Sequence, residues 1–418
     1  MIIRFSAENF RSIREKQELT LVASSLKDLP DSLINLEQLN YNLLPVAAIY
    51  GANASGKTNV LRALQFMTSV VENSQRDWKP DEEIPRNPFA LDDSPKRLSS
   101  FEIEFMLKGV RYRYGFTLDS QKINEEWLDA YPNGKQQEWF SRSETPARKF
   151  SFGRNLPGEG EKNRTIESLT RPNSLYLSAA AQNNHEGLLP VYDFLTKGIV
   201  FSFNRRSHIQ FWGEMTEMLQ EEKIKRDLLQ CIRAADFGIN GLRTEEYKIP
   251  DEMKTEVLKM FGGKVPNRIL IQHIGQGSSR IELDITEESE GTMAYLSLLG
   301  PILKTLESGG VLCIDELDSS LHPLLALELV RMFNDHKSNP RGAQLIFNTH
   351  DTNLLDQSLL RRDQIWFTEK DTGGATRLYP LSDFKPRQNE NLKRGYLQGR
   401  YGAIPFLEHE RLSQDKDD

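Results

Sequence analysis

The sequence predicts an α/β protein with a parallel-sheet core, an antiparallel β subdomain and a short helical insertion. Three observations lead there. An apolar run of buried-strand type, Pro45 to Tyr50, leads into the turn "GANASGKT" and then into a helical pattern. Residues 292–380 alternate helix, strand, helix, strand, helix, strand, as a parallel sheet with crossover helices does. Between these regions lie Phe101–Met106, Tyr112–Leu118, Glu126–Tyr131 and Glu138–Ser141, short β-rich segments separated by turns.

The remaining elements follow in chain order. Ile2–Asn9 and Gln17–Ala23 alternate as two paired strands, and a helix is predicted from Gly56 to Glu72. Residues 74–97, rich in Pro, Asp, Glu and Asn, read as a loop, and the polar, Gly/Pro-rich 144–173 as a flexible connection. Phe211–Ala235 is helical and charged, and strands return at Arg268–Gln272 and Ile281–Ile285. The segment "DQIWFTE" reads as the last core strand. These readings divide the chain into an N-terminal lobe (1–204), a helical insertion (205–265) and a C-terminal lobe (266–418). No repeat of fixed period is present.

Composition narrows the function classes. The formal net charge is −7 over 418 residues, so any nucleic-acid contact must be local. The local basic clusters are Lys223–Arg226 and Lys385–Arg400, and a solvated helix face or tail is the simpler reading of both. Two distant cysteines argue for a reduced compartment, and no run is apolar or long enough to span a bilayer. The N-terminus alternates like a strand and lacks a signal peptide's apolar core. A soluble, cytoplasmic protein with no membrane partner is expected.

The loop Gly51–Thr58 fits G-x-x-x-x-G-K-[ST]. Such a loop wraps a phosphate with successive backbone N–H groups while the following helix turns its positive end to the anion. Gly51 and Gly56 permit the tight path. Asn53, Ala54, Ser55, Gly56, Lys57, Thr58 and Asn59 are the candidate contacts, with Lys57 reaching the β- and γ-phosphates and the Thr58 hydroxyl reaching Mg²⁺. In "GGVLCIDELDSSLHP" an apolar strand ends in Asp315-Glu316: one carboxylate suited to the Mg²⁺ shell, the next to polarising a water. Upstream, Ser289 and Gly291 open a long apolar helix, where they read either as a simple N-cap or as an anion site. Downstream, "AQLIFNTHDTNLLD" delivers Thr349, His350 and Asp351 from a strand end to a loop, with His350 placed to sense a γ-phosphate.

The order of these motifs resembles that of ABC-type ATPases. Within them it looks like the SMC/RecF/OLD branch, and in particular the stand-alone AAA/OLD-like ATPases of bacterial anti-phage (abortive infection) systems. The stretches that carry the resemblance are "NFRSI", "GANASGKTN", "ESEGT", "CIDELDSSLHP", "FNTHD" and "YLQGRYGAIP". Two departures stand out. The ABC signature Leu-Ser-Gly-Gly-Gln is replaced by Glu288-Ser289-Glu290-Gly291-Thr292, and the D-loop ends in Leu321-His322 rather than Leu-Asp. No Q-loop glutamine is assigned.

The resemblance implies ATP and Mg²⁺ as ligands and an ATP-glued homodimer or higher homo-oligomer. In it Ser289 and Gly291 complete the neighbour's site. Lys57, Thr58 and Asp315 would hold Mg-ATP, Glu316 would be the general base, His350 would contact the γ-phosphate, and Arg11 in the "NFRS" turn is a further candidate contact. The insertion is too short for an SMC coiled coil, and the chain after His350 too short for a Toprim nuclease. The expected role is therefore an ATPase that senses and regulates a separately encoded, nuclease-like effector. The alternative is a RecF/SMC-like DNA clamp or loader.

Overall fold

In the computed structural model, residues 1–144, 149–158, 160–203, 215–216, 218–235, 238–246, 267–276 and 279–405 are described. In chain order the strands are β1 (Ile2–Glu8), β2 (Gln17–Thr20), β3 (Val46–Gly51), β4 (Ser99–Leu107), β5 (Val110–Leu118), β6 (Ile123–Tyr131), β7 (Gln137–Ser143), β8 (Lys149–Phe152), β9 (Ile199–Ser202), β10 (Ile239–Glu246), β11 (Asn267–Ile274), β12 (Arg280–Asp284), β13 (Val311–Ile314), β14 (Gln344–Asn348), β15 (Ile365–Lys370) and β16 (Thr376–Pro380). The helices are α1 (Lys57–Asn73), α2 (Gly160–Leu169), α3 (Tyr176–Gln182), α4 (Leu189–Lys197), α5 (Glu222–Ala234), α6 (Glu290–Ser308), α7 (Pro323–Asn334) and α8 (Leu392–Leu397).

The core sheet has the order β16-β15-β3-β14-β13-β9 and is parallel except for β16. Its strands are short and apolar, and both faces are covered. Successive residues alternate between two hydrophobic clusters, because strand side chains alternate faces. Ala47, Ile49, Cys313 and Ile346 pack toward α1, α3 and α4. Ala48, Tyr50, Ile314 and Phe347 pack toward α6 and α7. A second sheet, β2-β1-β4-β5-β6-β7-β8, is antiparallel and lies over the first cluster. The fold is a mixed α/β P-loop core carrying an antiparallel β subdomain.

Several expectations need correction. Residues 144–173 are not simply a flexible connection: strand β8 closes the antiparallel sheet there, and α2 buries Ile166. Of the predicted helical insertion, α5 is helical, but β10 follows it and pairs with β11 in a three-stranded antiparallel sheet. Residues 205–214, 217, 236–237 and 247–265 of that insertion lie outside the described residues. The third helix expected in 292–380 is replaced by two short 3₁₀ turns, Thr352–Leu354 and Arg362–Gln364. β15 is not the last strand; β16 pairs antiparallel outside it. The alternation misled here because apolar residues in the 350–361 connection pack as a loop into the second cluster: Leu354, Leu355, Leu359 and Leu360.

One side chain ties the antiparallel sheet to the core. Gln344, fully buried at the start of β14, accepts from Ile2 N at 2.6 Å and donates to Ile2 O at 2.9 Å and Leu44 O at 3.2 Å. Its amide thus satisfies backbone groups that could not otherwise reach water. Gln344→Leu keeps the volume but orphans these groups. It should lower stability by about 2–4 kcal/mol, read as a drop in the urea unfolding midpoint. A midpoint within error of the wild type would show that this amide does not carry the docking.

Candidate functional site

In an open parallel sheet the site forms beyond the carboxyl ends of the strands. Here β3 releases the phosphate loop, β13 ends at Asp315-Glu316, and β14, lying between them, ends at Asn348.

The loop's shape is enforced by close neighbours. A Cβ on Gly56 (φ 107°) would lie 2.1 Å from Thr376 Oγ1, and one on Gly51 2.5 Å from Thr368 O. Glycine is therefore required at both positions. Ala54 is left-handed (φ 62°) and, like Asn53, exposed at the tip of the loop. Ser55 is buried and hydrogen bonds Thr368 Oγ1 at 2.6 Å. α1 then starts at Lys57 with no side-chain cap, so its first N–H groups are offered to a ligand.

Lys57 curls back over the loop, donating to Gly51 O at 2.9 Å and Ala52 O at 3.0 Å. Burial lowers its amine from 10.5 to about 8, against the opposing pull of Glu316, Asp315 and Asp318. His350 is also held below its usual value, first by burial and then by Lys57, while Asp318 and Glu316 act the other way. Lys57, Glu316, Asp318 and His350 thus lie near enough to influence one another electrostatically. The His350 imidazole is neutral at pH 7, able to donate one hydrogen bond and accept another.

Asp315 is the junction. Its Oδ1 accepts from Thr58 Oγ1 at 2.9 Å and from the Asn348 amide. Two hard oxygens, Thr58 Oγ1 and Asp315 Oδ1, thus stand side by side at the helix start. That donor set fits Mg²⁺, which takes one or two protein oxygens and completes its shell with phosphate and water. Asn348 also accepts Glu316 N at 2.6 Å on its side chain and Leu317 N at 3.1 Å on its carbonyl. These bonds hold Glu316 in a left-handed conformation (φ 55°) that costs a non-glycine residue roughly 1–2 kcal/mol. Such strain is characteristic of functional positions, and it leaves the Glu316 side chain exposed. Asp318 in turn clamps the His350 loop, accepting from Thr349 Oγ1 at 2.6 Å and His350 N at 3.3 Å.

The other predicted residues lie apart from this cluster. Ser289 is the N-cap of α6, accepting Thr292 N at 3.1 Å, and the backbone nearest a Cβ on Gly291 is Ser320 O at 3.4 Å. The signature therefore abuts the D-loop, and among the described residues no hydrogen bond joins it to the phosphate loop of its own chain. Arg11 sits in the left-handed corner of the Phe10–Ile13 turn, its backbone N bonded to Asn87 O at 2.6 Å and its guanidinium near Phe10 and Arg62. Asn59 donates to Ser12 Oγ at 2.6 Å, so it braces that turn. The sequence reading missed Asn348, Asp318, Thr368 and Thr376. Only Asn348 carried a signal, as a polar residue closing the apolar run "AQLIF".

Fold and site together define a mixed α/β P-loop core built to receive a nucleotide's phosphates. Over residues 46–356 the sequence matches the family described as "AAA domain, putative AbiEii toxin, Type IV TA system", and the chain belongs to that family. No curated protein matches it. Among solved structures it is similar to an SmcHead bound to the C-winged helix domain of ScpA (13% identity, TM-score 0.41, covering 90% of this chain and 96% of that one). It is also similar to an Smc head domain with an extended coiled coil, bound to the C-terminal domain of ScpA derived from Pyrococcus furiosus (12%, TM-score 0.43, 91% and 97%). Among the described residues no helix is long and apolar enough to cross a membrane.

The depressed Lys57 amine has a measurable consequence. Its cost to stability is present while it is charged and is relieved as pH rises from about 8 toward 10.5. A phosphate bound at Lys57 favours the charged form and raises the amine again. ATP affinity should therefore fall as pH rises through about 8, by up to about tenfold per unit. Calorimetry at pH 9 in buffers of different ionisation enthalpy should show proton uptake on binding. Uptake that persists in Lys57→Ala would assign the proton elsewhere.

Proposed function

We propose that the chain is an ATP-binding and hydrolysing regulatory subunit of a bacterial anti-phage defence complex, working as an ATP-closed dimer that controls a separately encoded effector such as a nuclease. The observation that carries the ATPase reading is the convergence of Lys57, Asp315, Glu316 and His350 at the end of one sheet. The loop amides and Lys57 hold the phosphates. Mg²⁺, when bound at Thr58 and Asp315, supplies charge neutralisation to phosphate oxygens. Glu316 accepts the proton of the attacking water, and neutral His350 hydrogen bonds the γ-phosphate. The exposed Ser289 and the half-buried Gly291 beside the D-loop support a role on a second copy's nucleotide. The family's description, which names a putative toxin of a type IV toxin–antitoxin system, supports a role within such a system.

The DNA-clamp reading rests on the exposed cations Lys385, Arg387, Lys393 and Arg394. It would displace the regulatory one if duplex DNA bound in an ATP-dependent manner with a steep salt slope.

Glu316→Gln tests chemistry and assembly together. It should keep ATP affinity, lose hydrolysis by about 10²–10⁴-fold, and accumulate as a dimer in Mg-ATP by light scattering. Hydrolysis at the wild-type rate would exclude Glu316 as the base. A variant that binds ATP and stays monomeric would exclude the shared site.

A further inference from the structure

Two chains of hydroxyls run from the C-terminal hairpin to the backbone of the phosphate loop. In the first, Asn59 Nδ2 lies 2.6 Å from Ser12 Oγ, Ser12 Oγ lies 2.7 Å from Thr376 Oγ1, and Thr376 Oγ1 lies 2.9 Å from Ser55 O. The direction of every proton follows from its ends. A carbonyl only accepts, so Thr376 donates to Ser55 O. Thr376 must then accept from Ser12, and Ser12 accepts from the Asn59 amide, which only donates at nitrogen. In the second chain, Ser55 Oγ lies 2.6 Å from Thr368 Oγ1, which donates to Tyr50 O at 3.3 Å. Thr376, Ser55 and Thr368 are all buried, so water does not replace these bonds.

The two carbonyls that receive these protons bracket the loop. A peptide unit is planar and trans, so its C=O and N–H point in opposite directions. Fixing Ser55 O against Thr376 fixes the direction of Gly56 N–H, and fixing Tyr50 O fixes that of Gly51 N–H. Gly56 N–H is one of the amides such a loop turns to a phosphate. Thr376 is held in turn by its own backbone N, which donates to Ser12 O at 2.7 Å; its strand is tied to the N-terminal hairpin by Leu378 N to Gln17 Oε1 at 2.8 Å, and the turn before that strand by Arg14 to Asp371 at 3.1 Å.

We propose that Thr376, far from the phosphate loop in sequence, is a positioning residue for nucleotide binding: its hydroxyl, oriented by Ser12, aims the Gly56 amide and keeps the turn that carries Arg11 in register with the loop. The proposal rests on the reading of Gly51–Thr58 as an ATP site and adds a residue to it.

The test measures Mg-ATP affinity by calorimetry and steady-state KM and kcat on the full chain. Wild type and Lys57→Ala come first: a wild-type chain that does not bind Mg-ATP overturns the ATP-site reading, and this proposal with it. Given binding that Lys57→Ala weakens, Thr376→Val should raise the dissociation constant and KM about tenfold with kcat within about twofold. Thr376→Ser, which keeps the hydroxyl, should restore both. Ser12→Ala should weaken binding in the same direction. Combined with Thr376→Val it should add nothing further, because the two act through one chain of bonds. A folded Thr376→Val that binds Mg-ATP like the wild type overturns the proposal. If Thr376→Val does not fold, Thr376→Ser and Ser12→Ala decide: wild-type affinity in both overturns it, and a loss confined to Ser12→Ala supports it.

Discussion

A single carboxylate oxygen holds the site together. Asp315 Oδ1 receives the Thr58 hydroxyl from α1 and the Asn348 amide from β14, so the ends of two neighbouring strands and the start of a helix meet at one atom. Because β14 lies between β3 and β13, its last residue sits between the phosphate loop's strand and the acidic strand. Asn348 uses that position twice, orienting Asp315 with its nitrogen and Glu316 N with its oxygen. The adjacent carboxylates Asp315 and Glu316 are thereby set by one buried amide.

The same economy appears at larger scale. Gln344 opens β14 by pinning the antiparallel sheet, and Asn348 closes it by building the site. Both are fully buried polar residues in an apolar strand, tolerated because every polar group finds a partner. The phosphate loop is braced from the opposite side by Thr368 and Thr376. The site is thus clamped between two elements distant in sequence, which supplies the rigidity that anion recognition by backbone amides requires.

What the sequence disclosed followed from local pattern. The loop, the acidic strand end and the His350 strand each carry their chemistry next to a strand or helix boundary, and periodicity located those boundaries. The antiparallel strands β4 to β7 were legible for the same reason. Residues whose role is a contact across hundreds of positions left no local trace: Thr376 is an unremarkable threonine in "GGATRLYP" until the fold sets it against Ser55. The missing helix near 350–361 shows the converse, since apolar spacing does not distinguish a packed loop from a helix when both are buried. Ser289 reads as an N-cap in sequence and is one in the folded chain.

The most direct test of this account is the metal dependence of nucleotide affinity, measured by calorimetry with ATP in the presence of Mg²⁺ and in the presence of EDTA, for the wild type and for Asp315→Asn. The account predicts that Mg²⁺ tightens binding to the wild type at least tenfold, and that Asp315→Asn removes this gain while leaving affinity in EDTA close to the wild type's. An Asp315→Asn chain that retains the full Mg²⁺ gain would contradict the placement of the metal at Asp315 and the central role given to its carboxylate.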